Sequence, residues 1–189
     1  MNQPLHIGLL LCHTLEPILS KVGELDYPAI FREHFLAIDC NISFTDFNVY
    51  KGELPDSVGQ CHVWLVNGSP AGAYEDIEWI HQFGDYIKQL DAAKKPTFGI
   101  CFGHQLMAQV LGGKVERSDK GWGLGISHNA IVANAQFMQP KTDNIDVMVF
   151  HQDQVVQLPE DSLVLASSDF CPNYMVHYNN HMLSIQGHP

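Results

Sequence analysis

The opening segment, Leu5-His-Ile-Gly-Leu-Leu-Leu-Cys12, is a near-continuous apolar run, the pattern of a strand covered on both faces. Between Tyr27 and Ile38 the apolar residues Ile30, Phe31, Phe35 and Ile38 recur at helical spacing, with Pro28 suited to a first turn. Ile42 to Val49 predicts a second strand, broken by Gly52-Glu-Leu-Pro55, and His62 to Val66 a third, ended by Asn67-Gly-Ser-Pro70. Asp76 to Leu90 is amphipathic through Ile77, Ile80, Phe83, Ile87 and Leu90, with Asp76 and Glu78 placed to favour a helix N-terminus. Pro96 to Ile100 predicts a fourth strand, followed by a helix from about Gly103 to Leu111 that Gly112-Gly113 closes as a C-cap. Beyond that point the pattern changes. Leu124 to Ala133, Val147 to Phe150, Ser162 to Ser167, Tyr174 to Tyr178 and Met182 to Gln186 are short strand candidates with few helical stretches between them. The alternation of strand and helix predicts an α/β, doubly wound, mostly parallel sheet, with an antiparallel extension in the second half. No repeat or linker-like tract interrupts the chain, so residues 1–189 read as a single domain.

Composition narrows the function classes. With 46% hydrophobic and 16% charged residues the 189-residue chain is globular in character. Ten Lys and Arg stand against 21 Asp and Glu, a formal charge of −11, and no basic block occurs. Nucleic acid is therefore not an expected partner. The Ile7 to Cys12 run is too short to span a membrane or to form a signal segment, so no membrane association and a cytoplasmic location are expected. Five cysteines, an odd number without Cys-x-x-Cys spacing, argue for reduced thiols. Neither that spacing nor His-Glu-x-x-His supports a metal site, and no cofactor is implied.

One thiol is set apart by its neighbours. Gly99-Ile-Cys101-Phe-Gly103 has the form G-x-C-x-G where a strand should turn sharply into a helix, the thiol counterpart of a nucleophile elbow. Glycines at both flanks allow tight packing, and the side chain projects above the carboxyl ends of the strands, where open α/β sheets bind ligands. A helix N-terminus aimed at the sulfur is expected to lower the thiol pKa, and the Phe102 N–H to face an oxyanion. Such a nucleophile needs a base, and eleven histidines are available. His104 follows Cys101 too closely and reads as a packed or capping residue, whereas His151 and His188 each follow a predicted strand.

Together, Gly99-Ile-Cys-Phe-Gly-His-Gln105, Gln186-Gly-His-Pro189 and Asn67-Gly-Ser-Pro70 resemble the motifs of class I glutamine amidotransferases, whose fold is flavodoxin-like. Gly52-Glu-Leu-Pro55, Ala73 to Ile80, Leu111 to Val115, Gly121 to Gly125 and His151-Gln-Asp-Gln-Val155 are similar to the free-standing, GMP-synthase-like branch. The resemblance implies glutamine amide hydrolysis, with Cys101 forming a γ-glutamyl thioester and His188 serving as base. It implies an oxyanion site from the N–H of Phe102 and one N–H of the Asn67–Pro70 loop, Ser69 aligning best and Gly68 being its alternative. Gln105 and the segment His151, Gln152 and Asp153 match positions that hold the substrate. The Gly68-Ser69 pair departs from the two glycines frequent in relatives. The family motif continues from His-Pro to a Glu that orients the base; nothing follows Pro189 here, so the chain reads as truncated at its C-terminus. Three functions follow as expectations: a glutaminase releasing ammonia, with a separate synthetase chain as its acceptor partner; a hydrolase of other γ-glutamyl peptides or amines; or a catalytically impaired regulatory protein.

Overall fold

The computed structural model describes residues 4–14 and 26–189. Nine strands form one sheet. In chain order the elements are β1 (Leu5–Leu10), α1 (Tyr27–Ile38), β2 (Ile42–Phe47), β3 (Val63–Val66), α2 (Glu78–Ala92), β4 (Thr97–Ile100) and α3 (Phe102–Val110). Then follow β5 (Lys114–Arg117), β6 (Gly123–Ile131), β7 (Asn144–His151), β8 (Asp153–Gln157), β9 (Ser162–Ser167), β10 (Met175–Tyr178) and β11 (Met182–Ile185). The strand order is β2-β1-β3-β4-β11-β10-β9-β6-β7, and β5 pairs with β8 in a separate two-stranded sheet. Strands β2, β1, β3, β4 and β11 are mutually parallel, while β10, β9, β6 and β7 continue the sheet antiparallel. This is the flavodoxin-like, mostly parallel α/β sheet with its antiparallel extension.

Alternation along the central strands explains their unbroken apolar character. Leu10, Trp64 and Val66 face the layer of α2 and α3, joining Ile80, Phe83, Ile87, Leu90, Leu106 and Met107. Their neighbours Leu9, Leu65 and Ile100 face the opposite core, where Phe31 and Phe35 of α1 pack. Both faces are covered, so successive residues are apolar. Helix α3 ends as its glycines predict: Gly112 takes a φ of +104° and the Gly113 N–H donates to the Ala108 carbonyl at 2.9 Å.

The structure also departs from the sequence pattern. Ile38 belongs to the predicted apolar face of α1 but ends that helix at 83% exposure. The second predicted strand ends at Phe47, and Val49–Lys51 is a 3-10 turn. The pattern does not predict strands β5 and β8, and β8 begins inside the His151–Val155 segment. Their signal is weak because each is short and carries polar residues on its open face. Among the described residues no helix is long and apolar enough to cross a membrane.

Candidate active site

Cys101 lies between β4 and α3 with φ +53° and ψ −100°, a backbone conformation that non-glycine residues rarely adopt. Its N–H donates to the Ile185 carbonyl of β11 at 2.9 Å, and its carbonyl accepts from the Gln105 N–H at 3.0 Å. The flanking glycines are there because nothing larger fits. A Cβ on Gly99 would lie 2.7 Å from the Gly103 carbonyl carbon, and one on Gly103 would lie 2.8 Å from the Val66 carbonyl oxygen. These contacts are backbone, so the elbow closes only with hydrogen at both positions.

Three chain segments converge on this thiol. A Cβ placed on Gly68 would stand 3.3 Å from His188 Cε1, 3.6 Å from Cys101 Cβ and 4.0 Å from the hydroxyl oxygen of Tyr27. Gly68 belongs to a loop held by the buried Asn67, whose Oδ1 accepts from the Cys12 N–H at 2.6 Å and whose Nδ2 donates to the His13 carbonyl at 3.1 Å. Within the loop, Ser69 Oγ accepts from the Ala71 N–H at 3.3 Å. The Ser69 oxygen thus accepts within the loop while its O–H stays free to donate, and the loop also presents backbone N–H groups. His188 is tied in place by its own N–H, which donates to the Met148 carbonyl of β7 at 2.8 Å.

The charge state of the thiol differs from the expectation of a helix-stabilised thiolate. Burial pushes the Cys101 pKa up to about 12; the Phe102 N–H, which hydrogen-bonds the sulfur, pulls it down by less, and the Asp153 carboxylate adds to the rise. Desolvation outweighs the helix terminus. Burial also lowers the His188 pKa below its ordinary value. At neutral pH the resting pair is a thiol and a neutral imidazole.

Beside Cys101 opens a cleft of about 390 Å³ lined by Ser69, Gln105, His151, Gln152 and Asp153 among others. The Asp153 carbonyl is a hub: Gln105 Nε2 donates to it at 2.9 Å, and His151 Nδ1 lies 3.1 Å from the same oxygen. Gln105 Nε2 also donates to Gln186 Oε1 at 3.1 Å, which leaves the Gln105 side-chain carbonyl oxygen as the group open to a ligand. His151 is buried, its ring edge-on to Phe170 at 5.9 Å, and burial lowers its pKa. His188, Gly68 and Phe102 do not line this cleft but adjoin it through Cys101.

Residues that sequence reasoning did not assign to the site also line it, among them Tyr74, Glu75, Arg117, Trp122 and Phe150. The Glu75 carboxylate accepts from the Gly72 N–H at 2.8 Å, Tyr74 hydrogen-bonds the Asp153 carboxylate, and Arg117 sits opposite Asp153 in the β5–β8 register. A cation and two carboxylates around one cleft suit a zwitterionic α-amino acid. Tyr74, Glu75 and Trp122 lie in the segments Ala73 to Ile80 and Gly121 to Gly125 already singled out for their resemblance, whereas the polar segment around Arg117 lacks the periodicity of a strand. His104 is fully buried with Nδ1 2.7 Å from Ser184 Oγ, and burial lowers its pKa to about 3, so it is neutral. Among the described residues no group of three or more His, Cys, Asp or Glu is arranged to hold a metal ion.

Comparisons with known proteins identify the family. Residues 33–189 match the family model "Glutamine amidotransferase class-I". "Gamma-glutamyl peptidase 5" of Arabidopsis thaliana is 36% identical over 150 residues, 76% of this chain and 60% of the relative. The glutamine-hydrolyzing GMP synthase subunit of Archaeoglobus fulgidus is 38% identical over 105 residues, 55% of each chain. The chain thus spans about 60% of the length of the Arabidopsis relative it matches. A crystal structure of a glutamine amidotransferase from Thermotoga maritima superposes with a TM-score of 0.80 at 23% identity, covering 99% of this chain and 76% of that one. With the family model covering the elbow, the cleft and His188 together, this chain belongs to the class I glutamine amidotransferases.

Proposed function

We propose that the chain hydrolyses the γ-amide of glutamine through a thioester on Cys101, releasing glutamate and ammonia. The convergence of Cys101, His188 and Gly68 on one carbon-sized space carries this reading. Arg117 takes the α-carboxylate, and Asp153 and Glu75 take the α-ammonium, bringing the γ-carbon to the sulfur. His188 accepts the thiol proton as the S–C bond forms, so the thiolate exists only as substrate is attacked. The Phe102 N–H turns from sulfur to the oxyanion, joined by an N–H of Ser69 or Gly68; each such donor is worth about 2.7–4 kcal/mol. His188 then protonates the departing nitrogen and activates the water that cleaves the thioester.

The test is Cys101→Ser. Glutamine-dependent ammonia release should vanish, and turnover at the wild-type rate would exclude the proposal. A second reading, hydrolysis of other γ-glutamyl peptides or amines, draws on the γ-glutamyl peptidase relatives and on the exposed rings of Trp122 and Phe150 at the cleft. Competition between glutamine and a γ-glutamyl dipeptide separates the two. Ammonia transfer to a separate synthetase chain draws on the GMP synthase relatives, and ammonia release measured with and without such a chain tests it.

A further inference from the structure

Among the described residues, Cys101 adjoins two distinct settings. The first is the cleft with its charged lining. The second is the junction of Gly68, His188 and Tyr27, none of which lines that cleft. Tyr27 opens α1, and its ring lies against Phe31 with centroids 6.2 Å apart and planes 19° from parallel. Its hydroxyl oxygen stands 4.0 Å from the point where a Gly68 Cβ would lie, a point 3.3 Å from His188 Cε1 and 3.6 Å from Cys101 Cβ.

The chemistry proposed above leaves one requirement unmet on this side. His188 must reach first the sulfur and then the departing nitrogen, so the nitrogen leaves toward His188. The oxyanion has its N–H donors from Phe102 and the Gly68–Ser69 loop. The departing nitrogen has a need of its own: as it leaves it still carries two N–H groups beside the one gained from His188, and these need acceptors.

Resting on that glutaminase reading, we propose that the Tyr27 hydroxyl oxygen accepts a hydrogen bond from the leaving nitrogen as the γ-amide bond breaks, which makes Tyr27 a catalytic residue of the acylation step. The sulfur–carbon bond forms as the carbon–nitrogen bond breaks, the thiol proton passes through His188 to the nitrogen, and Tyr27 keeps its own proton throughout. Burial, with the nearby Cys101 sulfur, raises the Tyr27 pKa, so its hydroxyl stays neutral during turnover.

The test compares wild type with Tyr27→Phe on two substrates, glutamine and the γ-methyl ester of glutamate. The variant keeps the ring and its packing on Phe31. An ester oxygen departs carrying no hydrogen except the one His188 supplies, so it has nothing to donate to Tyr27. In Tyr27→Phe, kcat/KM for glutamine should fall about tenfold while kcat/KM for the ester stays within about twofold, which also reports an intact fold. An unchanged value for glutamine overturns the proposal, and so does an equal fall on both substrates, the mark of a general positioning effect. Absence of Cys101-dependent turnover of either substrate by the wild-type protein would instead overturn the glutaminase reading, and this inference with it.

Discussion

If the resting thiol is neutral, its reactivity must titrate above the physiological range. With the Cys101 pKa at about 12, only about 1 in 10⁴ molecules carries a thiolate at pH 8, against about one in four for an ordinary cysteine near 8.5. The thiolate population is therefore lower by about 2 × 10³. Basicity offsets part of this: a Brønsted coefficient near 0.45 over about 3.5 pKa units raises intrinsic nucleophilicity about 40-fold, leaving a net deficit of about 50-fold. The absolute rate also reflects access to a side chain that is only 7% exposed. The pH profile does not depend on access, which makes it the decisive measurement. In a Cys40→Ser background, which removes the exposed thiol, labelling of Cys101 by iodoacetamide is followed at the peptide level from pH 6 to 10. The logarithm of the rate should rise about one unit per pH unit across the range without a plateau. A plateau with its midpoint below pH 8 would refute the reasoning, because it would mean that Phe102 and the helix terminus outweigh desolvation. Turnover should behave differently, because His188 takes the proton within the reacting complex. The base must be neutral and burial lowers its pKa, so the acid limb of kcat/KM should lie below pH 6.5, the ordinary histidine value.

Two further substitutions probe the frame. Gly103→Ala drives a methyl to 2.8 Å from Val66 Cβ and from the Val66 carbonyl oxygen, which cannot move without shifting β3. It should cost about 1–3 kcal/mol and lower the melting temperature by roughly 2–10 °C in calorimetry, with a loss of kcat because α3 carries the elbow. A melting temperature and kcat equal to wild type would show that the elbow tolerates a side chain there. Asn67→Ala removes the partners of the buried Cys12 N–H and of the His13 carbonyl, a destabilisation of roughly 2–4 kcal/mol in denaturant unfolding. Its kcat should fall more than its KM rises, since the loop serves the oxyanion; a pure KM effect would place the loop with substrate binding instead.

What was legible along the chain was what local packing demands. The strands β1, β3 and β4 announce themselves because Leu9 and Leu65 fill one core while Leu10 and Val66 fill the other, so every position is apolar. The elbow is equally legible: Gly99 and Gly103 are required by backbone atoms within a few residues of Cys101 or on the adjacent strand, and the spacing of the glycines is that requirement written in sequence. The β5–β8 pair was not, because its bonds join residues some forty positions apart and Arg117, Glu116 and Asp153 leave no apolar alternation to read. Arg117 and Tyr27 share that origin: each is a single residue brought to the site from a distant part of the chain, and nothing in its own segment marks it for that role. The thiol charge state failed for a related reason. A helix N-terminus is a local feature visible in the chain, whereas the desolvation that dominates here comes from burial in a core assembled from residues far apart in sequence. Local signals therefore located the reacting atom, and non-local burial decides the protonation state in which it waits for substrate.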